Sequence, residues 1–384
     1  MPTPLAGNPS GPFAAPSIAR GGAAAAATLP APTVPPVPPG TAPRRPLPGI
    51  RGLFQQRVAG DGALLRLTQL RFGQAGMPAE LYADDPGELE HLLALVPGHP
   101  TLPTVHLHRR LDPIDPGARA LIRDFVARFD GRVAGFVVHD RRQMIGQEDA
   151  LVAALRELGD RESGPMVFLE YAAGARTDWF AGIAHRLADV PGVSSCIDIG
   201  HVGLAEVRRR LAAGPGGTAA TFSLTDAALP YHVDRVQEAT RAGLPAVLGL
   251  IGDLAPLGKS VHFHLHDGHP AVTGLSDHFS FLTRFPIGFE YEGAGSLAPM
   301  FGPAGLAAIL REAVQRLGPG RLSLTLEIHQ AEGRLPLGGD ASELFRHWLD
   351  LTNAERLNYW LSVIAENHVL ADHCLAAAAA EVPA

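Results

Sequence analysis

Carboxylates and histidines that could bind a divalent cation recur at the ends of short apolar runs in this sequence. They are His106, His108, His139, Asp140, Glu170, Asp198, His201, His264, His266, Asp267, Glu327 and His329. An ionised carboxylate is costly to bury unless another charge compensates it. Glu170, Asp198 and Glu327 would repel one another if they met at one place, and a divalent cation between them would remove that repulsion. The pattern therefore predicts a metal centre.

The types of these side chains indicate which metals the centre would take. Carboxylate oxygen and imidazole nitrogen suit zinc, manganese, iron or cobalt. We expect a divalent metal cofactor, namely manganese, cobalt, magnesium or zinc, in one to three ions. The two cysteines, Cys196 and Cys374, lie far apart without a CxxC partner, which argues against a structural zinc module or a disulfide framework.

Each of these residues taken alone has a simpler interpretation. A single histidine after a strand is usually a polar residue satisfied by its neighbours, and a lone glutamate there is a salt-bridge partner about as often as a ligand. Strand alternation sends His262, His264 and His266 to one face, so at least one of them can support a ligand rather than bind metal. Six runs that deliver Glu, Asp or His to one rim favour the metal interpretation.

The elements that would position these residues alternate regularly between strand and helix. The predicted strands span 64–72, 80–83, 104–108, 133–139, 166–171, 194–201, 260–267 and 321–328. The predicted helices span 116–129, 147–158, 178–190, 204–213, 233–242 and 303–317, with another that begins after Asp85 and a capped helical region at Asp340 and Glu343. Asp85, Pro86 and Glu88 form a helix start signal.

Eight strand–helix alternations predict an α/β fold, a (β/α)8 TIM barrel whose carboxyl strand ends share one face. An open, doubly wound sheet is the alternative architecture. It is disfavoured because no GxGxxG turn follows an early strand. The long connections 213–259 and 268–302 would lie on the active-site face or lead to it.

The ends of the chain differ from this regular part. Residues 1–49 hold 14 of the 34 prolines, which predicts a disordered Pro/Ala-rich tail. Residues 50–350 are predicted to form the metal-binding barrel, and 351–384 a helical extension, over 353–375, that packs on it. A contact in a homodimer is the alternative for that helix. The alanine run at 23–27 gives little support to a secretion signal, and we expect a cytoplasmic protein.

Composition limits the partners of the chain. The 384 residues are 46% hydrophobic and 18% charged, and the formal net charge is −7. No basic tract stands out, which disfavours nucleic acid as a partner, although a local basic groove stays compatible with these numbers. No run of 18 apolar residues occurs, so no membrane span is predicted. The expected partner is a small-molecule substrate.

Four short segments within residues 60–330 resemble the xylose isomerase-like superfamily, which includes sugar and sugar-phosphate isomerases and epimerases and the endonuclease IV family. They are Leu-Glu-Tyr-Ala-Ala-Gly at 169–174, Ile-Asp-Ile-Gly-His at 197–201, His-Leu-His-Asp at 264–267 and Leu-Glu-Ile at 326–328. The resemblance implies one metal held by Glu170, Asp198, His264 and Glu327. It also implies that Glu170 and Glu327 exchange protons with substrate and that His201 contacts substrate or a second metal.

The endonuclease IV branch of this superfamily uses further ligands. His106 and His139 are similar to its strand-three and strand-four histidines. Its Asp-x-His segment has Asp277-His278 as the nearest match, without the intervening residue, a departure that puts a third metal in doubt. Three other residues beside these ligands, His108, His266 and Asp267, are predicted to contact substrate.

Three functions remain open from the sequence. The first is a sugar or sugar-phosphate isomerase or epimerase that stabilises an enediolate with its metal. The alternative is an abasic-site-type phosphodiesterase with two or three zinc ions, for which the loop arginines Arg109, Arg110, Arg141 and Arg142 could contact phosphates. The second alternative is an iron-dependent oxidative enzyme on the same barrel. Loops decide substrate in barrels, so the fold names none.

Overall fold

A closed barrel of eight parallel strands forms the centre of the molecule. The coordinates are a computed structural model, which describes residues 49–54, 61–95, 101–161, 163–213, 227–271, 280, 282–283, 290–291, 295–328 and 353–381. The barrel strands are β1 (Gly49–Leu53), β2 (Ala79–Ala83), β3 (Thr104–Leu107), β4 (Gly135–His139), β5 (Met166–Glu170), β6 (Val193–Asp198), β7 (Val261–Leu265) and β10 (Leu322–Glu327). Two further strands, β8 (Glu290–Tyr291) and β9 (Gly295–Ser296), form a separate antiparallel pair.

Helices on the outside join one barrel strand to the next. They are α1 (Gly62–Gln74), α2 (Pro86–Leu95), α3 (Pro116–Arg128), α4 (Glu148–Gly159), α5 (Thr177–Arg186), α6 (Ile199–Ala213), α7 (Val233–Arg241), α8 (Gly243–Leu254) and α9 (Gly302–Leu317). The strands follow the order β1-β10-β7-β6-β5-β4-β3-β2 around the barrel. The predicted (β/α)8 fold is thus confirmed, and the sheet is closed rather than open.

The first predicted strand was wrong, because residues 64–72 form most of helix α1. Asp61 caps this helix, and its side chain accepts hydrogen bonds from the backbone amides of Ala63 and Leu64 at 3.0 and 3.1 Å. The residues that α1 buries, which recur three and four apart, are Leu65, Thr68, Gln69 and Phe72. The helical period therefore outweighs the apparent alternation in this segment.

The actual first strand, β1, begins at the last residue of the predicted tail. Its sequence, Gly-Ile-Arg-Gly-Leu, contains two glycines and an arginine, and such a composition gives little strand signal. Strand β1 pairs with β10 and β2 in parallel register and closes the barrel. The other seven strands lie within the predicted ranges or extend one residue beyond them. The rest of the predicted tail lies outside the described residues.

Strand six is shorter than predicted, because the chain changes to helix directly after Asp198. The Asp198 carboxylate accepts a hydrogen bond from the backbone amide of His201 at 2.8 Å, as a residue that caps a helix does. His201 therefore belongs to the first turn of α6, which was predicted to begin only at residue 204. A carboxylate and a histidine three residues apart are thus held next to each other.

Other helix starts follow the predicted signals. The Asp85 side chain accepts from the amides of Gly87 and Glu88 at 2.8 and 2.9 Å, and the Glu88 carboxylate accepts from the amide of Asp84 at 2.7 Å. These reciprocal bonds satisfy amides that have no partner inside the helix. The capped region predicted at 340–343 lies outside the described residues.

The last helix, α10 (Asn353–Ala380), packs against α9 and against the β1 side of the barrel. Its buried apolar residues are Leu357, Trp360, Val363, Ile364, Ala371, Cys374 and Ala378. They recur mostly three and four apart, which gives the helix one continuous apolar face. Among the described residues, no helix combines the length and apolar character that crossing a membrane requires.

The inside of the barrel is apolar on one side and polar on the other. Val137, Met166, Phe168 and Cys196 form an apolar cluster between β4, β5 and β6. The fully buried polar residues opposite come from the strands on the other side, namely Arg51, Glu80, Thr104, His262, His264, Ser323 and Thr325. Barrel interiors are usually filled by branched apolar residues, so this polar half requires a specific network of partners.

Candidate metal centre

Four barrel strands end at a residue that the sequence predicts as a ligand. They are His139 in β4, Glu170 in β5, Asp198 in β6 and Glu327 in β10. The carboxyl ends of parallel barrel strands share one face, where active sites of this fold lie. The three carboxylate residues are only 1–3% exposed. Buried carboxylates that meet at one rim require compensating positive charge.

One group of ligands surrounds Glu170. The Nε2 atoms of His106 and His139 lie 3.2 and 3.4 Å from Glu170 Oε2, and the two imidazole rings are 4.6 Å apart. We call His106, His139 and Glu170 the Glu170 cluster. The other carboxylate oxygen, Oε1, faces Nδ1 of His264 at 3.0 Å. The two oxygens of Glu170 thus face different histidines.

A second group lies between β6, β7 and β10. His266 Nε2 is 2.6 Å from Glu327 Oε2 and 3.4 Å from Asp198 Oδ2. We call Asp198, His266 and Glu327 the Asp198 cluster. The Nδ1 atom of His264 lies 3.7 Å from Glu327 Oε2. Ligand atoms of Asp198, His264, His266 and Glu327 all lie within 4.8 Å of one another, and so do those of His106, Glu170 and His264.

His264 and His266 thus have different surroundings, although the sequence sends both to one face. His264 was predicted as a ligand and His266 as a contact to substrate. The structure places His264 between the two clusters and His266 directly between Asp198 and Glu327. Buried His, Asp and Glu that can hold a metal ion are therefore present at the predicted rim.

Two histidines connect this rim to solvent. The side chains of His139 and His201 are 19% and 22% exposed, whereas those of Glu170 and Asp198 are 3% and 1% exposed. His201 Nε2 lies 3.9 Å from Asp198 Oδ2, which is too far for a hydrogen bond. The imidazoles of His139 and His201 are more exposed than the side chains of His106, Glu170, Asp198, His264, His266 and Glu327.

The pKa values show how the buried charges balance in the metal-free chain. Burial raises the pKa of Glu170, but nearby His139, His106 and His264 outweigh it and hold this pKa well below its ordinary value. Burial lowers the pKa of His266, yet Asp198 and Glu327 raise it to about 9. Protons on His106, His264 and His266, whose pKa values are raised, therefore offset carboxylate charge, as a divalent cation would.

His139 has the opposite shift. Burial is the largest cause and lowers its pKa to about 4, although Glu170 acts in the opposite direction. The imidazole is therefore neutral at neutral pH. Its Nδ1 atom has no hydrogen-bond partner among the described residues, and its Nε2 faces Glu170. A neutral imidazole is the form that binds metal.

Two further carboxylates near strand ends, those of Asp140 and Asp267, accept hydrogen bonds from backbone amides rather than facing the clusters. Asp140 Oδ1 accepts from the amide of Ala172 at 2.7 Å, and burial raises its pKa to about 7. Asp267, predicted to contact substrate, accepts from the amides of Phe301 and Gly302 at 3.1 and 2.7 Å. These bonds fix the loop after β5 and the start of α9.

His108, another of the predicted residues, lies in the loop after β3. His108 is half-buried, and its Nδ1 accepts from the amide of Arg110 at 3.0 Å. This bond shapes the turn after β3 and is not directed at either cluster. Asp277 and His278, predicted as ligands, and His329 lie outside the described residues.

The arginines of two loops lie at the same rim. Arg109 and Arg110 follow β3, and Arg142 follows β4; all three are exposed. Arg141 links the two loops, since its Nη1 lies 3.4 Å from the carbonyl oxygen of Arg110 and 3.7 Å from Asp112 Oδ2. Positive charge therefore follows the strands that carry His106 and His139.

Sequence reasoning missed two residues of β2 that enter the centre. The Tyr82 hydroxyl donates to Glu327 Oε1 at 2.6 Å, and its ring lies 4.6 Å from the ring of His106. Glu80, two residues earlier, is fully buried and hydrogen-bonded to His264. Alternation in Ala-Glu-Leu-Tyr-Ala was the available signal, because it directs Glu80 and Tyr82 to the same face. Ligands were predicted only at or after strand ends, whereas Glu80 lies near the start of β2.

A third group of metal-binding atoms lies deeper, on Cys196, His262 and His264. It is a weaker candidate, because both ring nitrogens of His262 already have partners. Its Nδ1 is 2.7 Å from Ser323 Oγ and its Nε2 is 2.8 Å from Glu80 Oε2. Burial also raises the pKa of the Cys196 thiol, so the thiolate that binds metal is disfavoured.

No protein-family model matches this chain, and no curated protein matches it either. The closed (β/α)8 barrel and the buried His, Asp and Glu groups stand on the structure alone. The resemblance to the xylose isomerase-like superfamily remains a hypothesis that four short segments carry.

Proposed function

We propose that this chain is a metal-dependent phosphoester hydrolase whose centre would hold two divalent cations, with the Glu170 carboxylate among the ligands of both. The observation that carries the proposal is the division of Glu170 between two sets of histidines. Oε2 faces His106 and His139, and Oε1 faces His264. A carboxylate that bridges two cations needs separate ligands beside each oxygen. This arrangement resembles the endonuclease IV branch of the xylose isomerase-like superfamily.

The donor set fits such a pair of cations. His106, His139 and Glu170 would hold one cation, while Asp198, His266 and Glu327 would hold the other with His264 beside them. Oxygen and nitrogen donors without thiolate suit zinc, manganese, iron or cobalt. Each cation would replace imidazolium protons that offset the carboxylates in the metal-free chain.

Paired cations supply Lewis acidity and an activated water for the attack on phosphorus. The side chains of the protein keep the centre in shape for that chemistry. Tyr82 donates to Glu327 and fixes the orientation of its carboxylate. The His201 amide does the same for Asp198. Exposed arginines after β3 and β4 can attract the anionic group of a substrate.

The sugar or sugar-phosphate isomerase remains the second candidate, supported by a different observation. Glu170 Oε1 and Glu327 Oε2 both approach His264 Nδ1, at 3.0 and 3.7 Å, so two carboxylates that could serve as acid and base lie near one point of the centre. It ranks second because both oxygens of Glu170 already face imidazoles, and a base needs an oxygen that faces the substrate carbon.

Metal stoichiometry combined with a phosphodiester assay tests the proposal. We expect about two zinc or manganese ions per chain by elemental mass spectrometry, and metal-dependent cleavage of bis(p-nitrophenyl) phosphate or an abasic-site oligonucleotide. His139→Gln should lower the stoichiometry towards one and reduce turnover at least about a hundredfold, since it removes one cation. The exposed His91→Gln is the matched control. One ion per chain with sugar-phosphate turnover would instead favour the isomerase, and iron with oxidative turnover would favour the oxidative enzyme.

A further inference from the structure

Glu80 lies beneath the two clusters, inside the barrel, and is 0% exposed. Its carboxylate faces four hydrogen-bonding side chains. Oε1 lies 2.9 Å from His264 Nε2. Oε2 faces His262 Nε2 at 2.8 Å, Thr104 Oγ1 at 2.6 Å and Thr325 Oγ1 at 2.8 Å. An ionised carboxylate has about four acceptor sites, so these partners saturate Glu80.

The direction of the hydrogen bonds around Glu80 follows from a buried arginine. Arg51 can only donate, and its Nη1 donates to Ser323 Oγ at 2.6 Å. The Ser323 hydroxyl is then free to donate to His262 Nδ1, 2.7 Å away. A neutral His262 that accepts at Nδ1 carries its proton on Nε2, which donates to Glu80. The chain from Arg51 to Glu80 thus has one consistent direction.

The hydrogen bond on the other side of Glu80, towards the metal centre, has a fixed direction as well. Since Glu80 accepts, the proton between it and His264 lies on His264 Nε2. The other nitrogen, Nδ1, then faces Glu170 Oε1 and Glu327 Oε2. That nitrogen is the atom that becomes available to a cation. Histidines that bind metal usually donate their second nitrogen to a carboxylate or a carbonyl.

We propose that Glu80 is the positioning residue of the centre, which holds His264 as the Nε2-protonated tautomer so that Nδ1, the atom that faces Glu170 and Glu327, would be left to bind a cation. This inference rests on the proposed metal centre. It assigns to β2 a role in metal affinity without making Glu80 a ligand. It also explains why the deeper group of Cys196, His262 and His264 is the weaker candidate for a metal, since Glu80 already binds the Nε2 atom of both histidines.

Glu80→Gln tests the proposal through metal binding. The amide keeps the size of the side chain but replaces one acceptor oxygen with a donor, which cannot accept from a histidine or a threonine. We expect cobalt affinity to fall about 10- to 100-fold and the visible cobalt absorption bands to shift. The matched control is Glu90→Gln, an exposed glutamate paired with Arg132, which should change neither. Equal affinity and equal spectra for Glu80→Gln and the wild type would overturn the proposal.

A measurement on the unmodified chain decides the same question if Glu80→Gln fails to fold. Long-range ¹H–¹⁵N NMR of the zinc-loaded, ¹⁵N-histidine-labelled protein, with His264 assigned by a His264→Gln spectrum, should place the proton on Nε2 and the metal on Nδ1. A proton on Nδ1 would overturn the inference and leave the metal centre intact. A wild-type chain that takes up neither cobalt nor zinc would overturn the proposed function together with it.

Discussion

At the scale of single residues, the centre consists of buried carboxylates and imidazoles that stabilise one another's charged forms. His266 is fully buried between two carboxylates, which raise its pKa to about 9 despite the opposing effect of burial. Its ordinary pKa is 6.5, so in the metal-free chain this imidazolium contributes stability that is fully present below pH 6.5. That stability is lost as the pH rises through 9. A cation bound at the same place must displace this proton.

Metal affinity should therefore depend strongly on pH. We expect the dissociation constant for manganese to decrease between pH 6.5 and 9, by up to about tenfold per pH unit for each proton displaced. The increase in melting temperature caused by metal should grow over the same range, because the metal-free chain becomes less stable as the loaded one gains affinity. Titration calorimetry and thermal unfolding at fixed ionic strength measure both.

The variant His266→Asn distinguishes the proton on His266 from the other protons that a bound cation would displace. The variant should bind manganese more weakly, with a slope against pH reduced by about one proton. His91→Asn, on the exposed face of α2, should keep the wild-type slope. A dissociation constant that does not change from pH 6.5 to 9 would contradict the assignment of His266 to the metal site.

At the scale of elements, the barrel depends on a strand with almost no strand signal. Strand β1 packs its Gly52 against the ring of Phe72 from α1 and the side chain of Ile364 from α10. A methyl group built on Gly52 would lie 2.5 Å from Phe72 Cε2 and 3.1 Å from Ile364 Cδ1. The glycine is required because two helices approach the strand at this position.

Gly52→Ala should therefore destabilise the fold. We expect a loss of about 1–3 kcal/mol in the free energy of unfolding, since the ring of Phe72 is buried and must shift within a packed core to admit the methyl group. Urea denaturation followed by circular dichroism measures it. Gly49→Ala lies on the same strand with no heavy atom within 4 Å of the added methyl group, and it should be neutral. Equal stability of the two variants would disprove the close packing of α1 and α10 on β1.

At the scale of the whole molecule, α10 belongs to the same packed unit as the barrel. Its Trp360 is 5% exposed and joins the main core, and the helix contacts α9, α1, β1 and β10. The N-terminal tail and the boundaries 50–350 and 351–384 remain predictions. The dimer contact remains the alternative use of this helix.

Trp360→Ala should destabilise the entire molecule in one cooperative transition. We expect a loss of about 3–5 kcal/mol, as for other buried aromatic residues, with a lower melting temperature in calorimetry. Val369→Ala on the same helix, where the side chain is 68% exposed, should change stability little. A separate early transition with an unchanged main transition would mean that α10 unfolds independently of the barrel.

The sequence by itself determined the fold class and most of the candidate ligands. Strand–helix alternation predicted the barrel, and apolar runs that end in Glu170, Asp198 and Glu327 predicted where charges would meet. These signals are local, because a strand period and the residue that follows it can be read from neighbouring positions. The first strand could not be predicted in this way. Strand β1 has no alternating apolar pattern, and residues 64–72 are compatible with both a strand and a helical period.

Only the tertiary structure decided how the ligands divide into two clusters and which buried side chains hydrogen-bond to them. The two oxygens of Glu170 face histidines from β3, β4 and β7, which are distant in sequence. Glu80 is buried beneath them because strands 182 to 245 residues away supply its partners His262 and Thr325. Barrel closure brings these strands together, and the low dielectric inside the barrel strengthens each of their hydrogen bonds. No local pattern carries that information, so the functional site had to be derived from packing.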